Sequence, residues 1–379
     1  MRCEDAIRID DLREIAKRRL PKFVFDYVDG GAEDELTLCA NRQAFERLRF
    51  RPRTLIDVSV RDLSTRLLGA PAAMPLVVGP TGLNGLTWPD GDLVLARAAG
   101  AAGVPFAMST VSMSLVEDIA REAQGRVWLQ AYVFSERRIT EAIVARARDA
   151  GFECLVLTSD FPVAGKRERD LRTGLLPEQR LTLASRLDML MHPRWVATIA
   201  TRRPRFVNVE RELGPGKDVN SFVGHGMFDP TFRWDDIRRF RDLWPRKLLL
   251  KGVLRADDAE RAVAAGADGI VLSNHGGRQL DSAISGVEAL PDVVRAVDGR
   301  ISILVDGGVR RGGDIAKAVA LGAEGVLLGR APVYGLAAGG PAGVARALAI
   351  LADELDRTLA LTGCPGVGSL SADLIAGAG

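Results

Sequence analysis

The sequence predicts an α/β fold, a (β/α)8 TIM barrel, on three observations. Eight short apolar runs alternate with segments of helical periodicity. Each run is continuously apolar rather than alternating, as parallel strands buried on both faces are. A helix–glycine–strand block also recurs: AVAAGADGIVLS (262–273) and AVALGAEGVLLG (318–329) match almost position for position, and ARDAGFECLVLT (147–158) is a looser copy. Gly266, Gly322 and Gly151 stand where each helix should end and feed the next strand. An open doubly wound sheet is the rival architecture, and its GxGxxG does not follow the first strand.

The predicted strands run in order through Pro75–Pro80, Val104–Ser109, Val127–Tyr132 and Glu153–Thr158. After a long gap come Lys247–Lys251, Gly269–Ser273, Ser302–Asp306 and Gly325–Gly329. The 379 residues therefore divide into a helical prefix (1–73) and a barrel (74–360), which an insertion (161–233) interrupts after strand four. In the prefix, Leu12, Ile15 and Ala16 share one helix face, and GGAEDE (30–35) reads as a turn. The uncharged stretch Leu67–Pro89 is long enough to span a bilayer, but Pro71, Pro75, Pro80 and Pro89 make it strand and loop.

Composition narrows the function. With 51 Lys+Arg against 49 Asp+Glu the formal net charge is +2, which argues against a dedicated nucleic-acid binder. Cys3, Cys39, Cys154 and Cys364 form no CxxC pair and no Cys/His cluster, so no metal site is predicted and reduced thiols of a cytoplasmic protein are expected. Acidic residues in the first twenty positions leave no apolar run for a signal peptide.

A barrel of this kind carries its site at the C-terminal strand ends. Those ends hold Thr81, Ser109, Gln130 with Tyr132, Thr158 with Asp160, Lys251, Ser273 with His275, Asp306, and Gly329 with Arg330. Turn residues alone would not supply a Lys, a His and a Tyr there. DGGVRRGGD (306–314) and LGR (328–330) follow strands seven and eight, where barrels commonly bind phosphate. One such loop would read as a glycine-rich turn with solvated arginines; two at these strands point to phosphate.

His275 is one of three histidines and suits proton transfer near neutral pH. Asp160 could orient it, and Arg278 could hold a carboxylate in a bidentate pair. Lys251 leaves two chemistries open, a Schiff-base amine of a barrel lyase or a fixed cation beside an anionic cofactor.

Six motifs in order then resemble the FMN-dependent α-hydroxy-acid dehydrogenase and oxidase family: LPKFVFDYVDGGAEDE, RPRTLIDVS, LKGV, SNHGGRQLD, DGGVRRGGDIAKA and LGR, over about Ile9 to Leu370. The resemblance implies FMN as cofactor and oxidation of an (S)-2-hydroxy acid to the 2-oxo acid. It implies His275 as base, Asp160 stabilising its protonated form, and Tyr132 on the substrate hydroxyl. Tyr27, Arg278 and Arg167 would bind the substrate carboxylate. Lys251 would stabilise the reduced flavin, which disfavours the Schiff base. Pro80, Thr81, Ser109, Gln130, Thr158 and Ser273 would contact the flavin, and Asp306, Gly308, Arg310, Gly329 and Arg330 would hold ribityl and phosphate.

Within that family GPTGLNG (79–85), RERDL (167–171) and HPRW (192–195) look most like the mandelate dehydrogenase branch. Gly82, Val111 and Ala164 stand where glycolate-type oxidases resemble one another in carrying larger side chains, so a mandelate-like substrate is expected. Residues 180–205 hold six Arg against one Asp, interleaved with Leu183, Leu187, Leu190, Met191, Trp195 and Ile199. That composition fits an anchor on an anionic membrane surface, or a lid packed on the barrel or a neighbouring subunit. The resemblance favours the anchor, with peripheral attachment to the inner face of the cell membrane, a quinone acceptor and a homotetramer. A soluble oxidase using O2 or a lactate dehydrogenase is the alternative within the family.

Overall fold

The computed structural model describes residues 1–175, 181–200, 205–214 and 227–376. Eight parallel strands close into a barrel: β1 (Leu76–Val78), β2 (Phe106–Ser109), β3 (Val127–Ala131), β4 (Cys154–Thr158), β5 (Lys247–Val253), β6 (Gly269–Leu272), β7 (Ser302–Val305) and β8 (Gly325–Leu328). Each lies within or across the run that predicted it. β8 pairs with β1, so the barrel sheet has no edge.

Two cores follow from the strand period of two. Val77, Ala107, Trp128, Val156, Leu249, Val271, Leu304 and Leu327, one from each strand, point inward and form the barrel interior. The alternate residues face the helices: Leu76, Phe106, Leu129, Leu155, Leu250, Ile270, Val305 and Leu328 belong to the outer core. Burial on both faces explains why the strands read as unbroken apolar runs.

The prefix is helical only to Arg47, through Ile9–Arg19, Lys22–Asp29 and Leu36–Arg47. The first helix buries Ile9, Leu12, Ile15 and Ala16 and packs on the C-terminal helix segment Arg330–Thr362. Beyond Arg47 the chain is extended and ends in a hairpin, Thr65–Leu67 with Ala70–Ala72. Leu67 and Leu68 of that hairpin join the interior core and close the barrel bottom. The uncharged stretch 67–89 is thus hairpin, β1 and loop. The long apolar segment Arg330–Thr362 is bent at Gly339 and Gly340, and 61% of its most apolar window is buried in the protein.

The repeated glycines end their helices as expected: Gly151, Gly266 and Gly322 have φ of +89°, +81° and +103°. The insertion leaves the barrel after β4 and returns to it at Phe228, which bridges to Phe134 after β3. The helix Trp234–Leu243 then completes the β4 unit. Arg180, Arg202, Arg203 and His225 lie outside the described residues.

Candidate active site

Strand register assembles one polar floor. Ser109 on β2 pairs with Gln130 on β3, and Thr158 on β4 pairs with Lys251 on β5. The Ser109 hydroxyl donates to Gln130 Oε1 at 2.7 Å, and Gln130 Nε2 donates to Thr158 Oγ1 at 2.7 Å. All three are buried, so each hydroxyl and amide needs these partners. Next along the barrel, Lys251 Nζ donates to Ser273 Oγ at 2.8 Å and pairs with Asp306 Oδ2 at 3.2 Å. Burial works to neutralise this ammonium, but Asp306 and Asp160 outweigh it and its pKa is raised. A lysine held charged is a poor amine nucleophile.

Gly252 follows Lys251 at a β-bulge with φ of +110°. A Cβ there would lie 2.6 Å from the Asp160 Cβ, so the glycine lets Asp160 sit against β5. Asp160 faces His275, with Oδ1 3.1 Å and Oδ2 3.3 Å from Nδ1. The other ring nitrogen, Nε2, lies 3.1 Å from the Tyr132 hydroxyl. A carboxylate on Nδ1 favours the tautomer with its proton there, which leaves Nε2 as acceptor. Burial lowers the His275 pKa and Asp160 resists that fall, so the ring is neutral at neutral pH. Burial raises the Tyr132 pKa, keeping the phenol protonated and a donor.

Phe161 and Phe228 meet Tyr132 edge-on at centroid distances of 4.9 and 5.1 Å, and Phe161 lies 5.2 Å from the His275 ring. This aromatic wall was not predicted, because it joins the first residue of the insertion to its returning end.

Arg278 and Arg167 approach one ring from two elements: their guanidinium carbons lie 4.9 and 5.9 Å from the centroid of Tyr27. Tyr27 sits on the helix Lys22–Asp29, whose terminal carbonyls are capped from the barrel. Arg278 Nη1 donates to the carbonyls of Tyr27 and Gly30, at 2.6 and 3.0 Å. Its other two nitrogens have no hydrogen-bond partner among the described residues. Gly82 lies beside the same ring; a Cβ there would be 2.9 Å from Val111 Cγ2 and 3.3 Å from Tyr27 Oη. Ala164 is exposed at the rim.

At the far side, Asp306 Oδ1 is buried without a hydrogen-bond partner among the described residues. Gly308 turns at φ +84°, and a Cβ there would strike the Asn41 carbonyl oxygen at 2.2 Å. The Arg310 and Arg311 amides are spent on Asp314 of the following helix. Among the described residues the Arg310 guanidinium meets the Val309 carbonyl and the Tyr334 ring. Arg330 donates to the carbonyls of Val28, Gly276 and Gly30, which leaves two of a guanidinium's five N–H groups. Its burial, with Arg278 and Arg310 nearby, lowers its pKa to about 10. A Cβ on Gly329 would meet only Thr81 Cγ2, at 3.9 Å. The Thr81 hydroxyl donates to Asn84 Oδ1 at 3.0 Å, and Pro80 precedes it on the same loop.

Asn41 is a second residue missed in the sequence. Its amide and that of Asn274, next to His275, bond each other at 3.0 and 2.8 Å, and it packs on Gly307 and Gly308. The pair ties the histidine loop to the loop after β7.

These residues fit FMN. An amide and hydroxyls at the floor suit a pyrimidine edge, a held ammonium suits an anionic ring, and Asp306 offers a lone acceptor to a polyol. Arg310, the Arg330 remainder and the open glycine turn suit a phosphate.

Comparison with known proteins agrees. A family model described as FMN-dependent dehydrogenase matches residues 16–377. The chain is 47% identical to (S)-mandelate dehydrogenase of Pseudomonas putida over 98% of this chain and 94% of that one. It is 45% identical to a putative L-lactate dehydrogenase of Mycobacterium tuberculosis over 94% of this chain and 86% of that one. The crystal structure of a monotopic membrane protein, (S)-mandelate dehydrogenase, superposes with a TM-score of 0.94 at 46% identity, covering 98% of this chain and 99% of the other. A mandelate oxidase mutant with (S)-mandelic acid superposes at 0.82 and 38% identity, covering 98% of each chain. The chain belongs to the FMN-dependent dehydrogenase family, and it is an oxidoreductase with FMN as its cofactor.

Proposed function

We propose that the protein oxidises an (S)-2-hydroxy acid with a bulky, mandelate-like side chain to the 2-oxo acid. The observation that carries the reading is His275 held between Asp160 and Tyr132, with Arg278 and Arg167 gathered across Tyr27. The two arginines bind the substrate carboxylate, and Tyr27 lies between them and Gly82. Tyr132 donates to the substrate hydroxyl. His275 Nε2 takes a proton from the CH–OH group, and Asp160 stabilises the imidazolium that results. FMN, when bound, would accept the two electrons that leave the carbinol carbon together with the second proton of the CH–OH group. Ser109, Gln130, Thr158, Lys251 and Ser273 hold the ring end, with Thr81 and Pro80 on the β1 loop. Asp306, Gly308, Arg310, Gly329 and Arg330 hold ribityl and phosphate.

Gly82 lets Val111 and the Tyr27 hydroxyl close up on the β1 loop, since a Cβ there would lie 2.9 Å from Val111 Cγ2 and 3.3 Å from Tyr27 Oη. The mandelate-like side chain is supported by the 47% identity to (S)-mandelate dehydrogenase. Ala164 contributes at the rim only. The acceptor in this proposal is a quinone delivered at a membrane surface, which the insertion supports. Leu183, Leu187, Leu190 and Met191 are exposed, two of them by 72% and the last by 79%, beside exposed Arg186 and Arg194. Trp195 and Ile199 belong to the other face; Trp195 is buried, with Nε1 2.7 Å from the Leu86 carbonyl and its ring 5.6 Å from Phe23. The Trp is therefore the insertion's anchor on the barrel, and the leucines are its outward face.

His275→Ala should retain FMN and lose at least about a hundredfold in the rate of anaerobic flavin reduction. Reduction at the wild-type rate would remove His275 as base. Stoichiometric peroxide during aerobic turnover would replace the quinone with O2.

A further inference from the structure

Asp170 is a buried carboxylate that the proposed chemistry does not use. It lies on the helix Glu168–Thr173, 2% exposed. Its side chain makes no hydrogen bond among the described residues, and both Asp170 Oδ2 and Arg167 Nε are buried and unpartnered there. Such atoms are rare in proteins and point to a role outside the resting fold. The neighbouring basic residues are engaged elsewhere: Lys166 pairs with Glu168, and Arg169 with Glu35, Asp29 and Asp26.

Among the described residues Arg167 alone comes within ion-pair distance of Asp170, 3.7 Å from Nη1 to Oδ2, while burial raises the Asp170 pKa and the charges of Arg278 and Arg167 oppose that rise. That spacing is informative. A bidentate pair near ~2.8 Å would lock Arg167 and compete with an incoming carboxylate. At 3.7 Å the attraction persists without the lock. The need for it is plain, because Arg167 and Arg278 are like charges over one ring. The Arg278 pKa is lowered by burial and then by Arg167, while Tyr27 and Asp170 oppose that fall.

We propose that Asp170 is the standing counter-ion of the two-arginine carboxylate clamp, a residue that acts on Arg167 and Arg278 through its charge and leaves their hydrogen bonds to the incoming carboxylate free. It offsets the clamp's positive charge between turnovers, so that ambient anions do not fill the site and the 2-oxo acid can leave. This rests on the reading that Arg167 and Arg278 bind the substrate carboxylate.

The test is Asp170→Asn in the FMN-loaded enzyme, with wild-type flavin spectrum and melting temperature as the check on folding. KM for the hydroxy acid and the inhibition constant of the 2-oxo acid should fall together by about tenfold, as expected for loss of one neighbouring charge. Chloride should begin to inhibit, and kcat should fall because product leaves slowly. In an Arg167→Met background the same substitution should lose most of this effect. Unchanged or weakened binding of product and chloride would overturn the proposal. Asp170→Ser carries the same expectation if the Asn variant does not hold flavin. If Arg167→Met and Arg278→Met alone leave KM unchanged, the clamp reading itself fails; if they raise it and Asp170→Asn does nothing, only the counter-ion role fails.

Discussion

His275 sits at φ +58°, a backbone conformation that costs a non-glycine residue on the order of 1 kcal/mol or more. Its amide donates to Ser273 Oγ at 3.0 Å, and Asn274 is pinned by Asn41 and by the Ile284 carbonyl. The strained turn is thus held from three sides, and it aims the ring at Tyr132. The pH behaviour follows from the same contacts. His275 works as a base only when neutral, so activity is lost as pH falls through its pKa. Burial has lowered that pKa, so the acid limb of kcat/KM should lie below the ordinary imidazole value of about 6.5. Asp160 favours the imidazolium, so Asp160→Asn should move the limb lower by about a unit and slow flavin reduction. A limb that moved to higher pH in this variant would show that Asp160 does not act on His275.

At the scale of elements, the strands and their polar ends were legible because burial on both faces writes itself as unbroken apolar runs. Periodicity reports local structure, and so it placed Ser109, Gln130, Thr158 and Lys251 at strand ends without a partner in view. The hairpin Thr65–Leu67/Ala70–Ala72 was not legible, since strands of three residues carry no period. Nor was the capping of the helix Lys22–Asp29 by Arg278 and Arg330, which joins residues far apart in sequence. Trp195 matched an interfacial residue by composition; only the fold shows its ring against Phe23. The hairpin's role has a measurable consequence. Leu67 is fully buried in the barrel interior, so Leu67→Ala should cost about 2–5 kcal/mol in chemical denaturation while leaving the substrate KM unchanged. A change in KM without loss of stability would mean that the bottom hairpin shapes the site.

For the whole molecule, charge is distributed rather than absent. The net charge is +2, yet residues 161–233 carry 13 Lys+Arg against 8 Asp+Glu. The outward leucine face rides on a helix, Leu183–Leu190, fastened to parts of the substrate site. Asp188 accepts from the Lys22 amide at 2.6 Å, at the start of the helix that bears Tyr27. Ser185 Oγ donates to the Thr173 carbonyl at 2.9 Å, at the end of the helix that follows Arg167. A membrane beneath this face would lie close to the substrate elements. Replacing Leu183, Leu187 and Leu190 with Ser should abolish co-sedimentation with anionic vesicles and leave flavin reduction near the wild-type rate. Binding of the wild-type enzyme should also weaken as salt is raised. Retention of the triple variant on vesicles would assign attachment to another surface.

The most direct test of the account is anaerobic stopped-flow reduction of the bound flavin by (S)-mandelate, (S)-lactate and glycolate. The site predicts rapid, saturable bleaching with (S)-mandelate, slower reduction by the two smaller acids, and reduction by (S)-mandelate slowed at least about a hundredfold in His275→Ala. Bleaching by glycolate or lactate with no response to (S)-mandelate would contradict it.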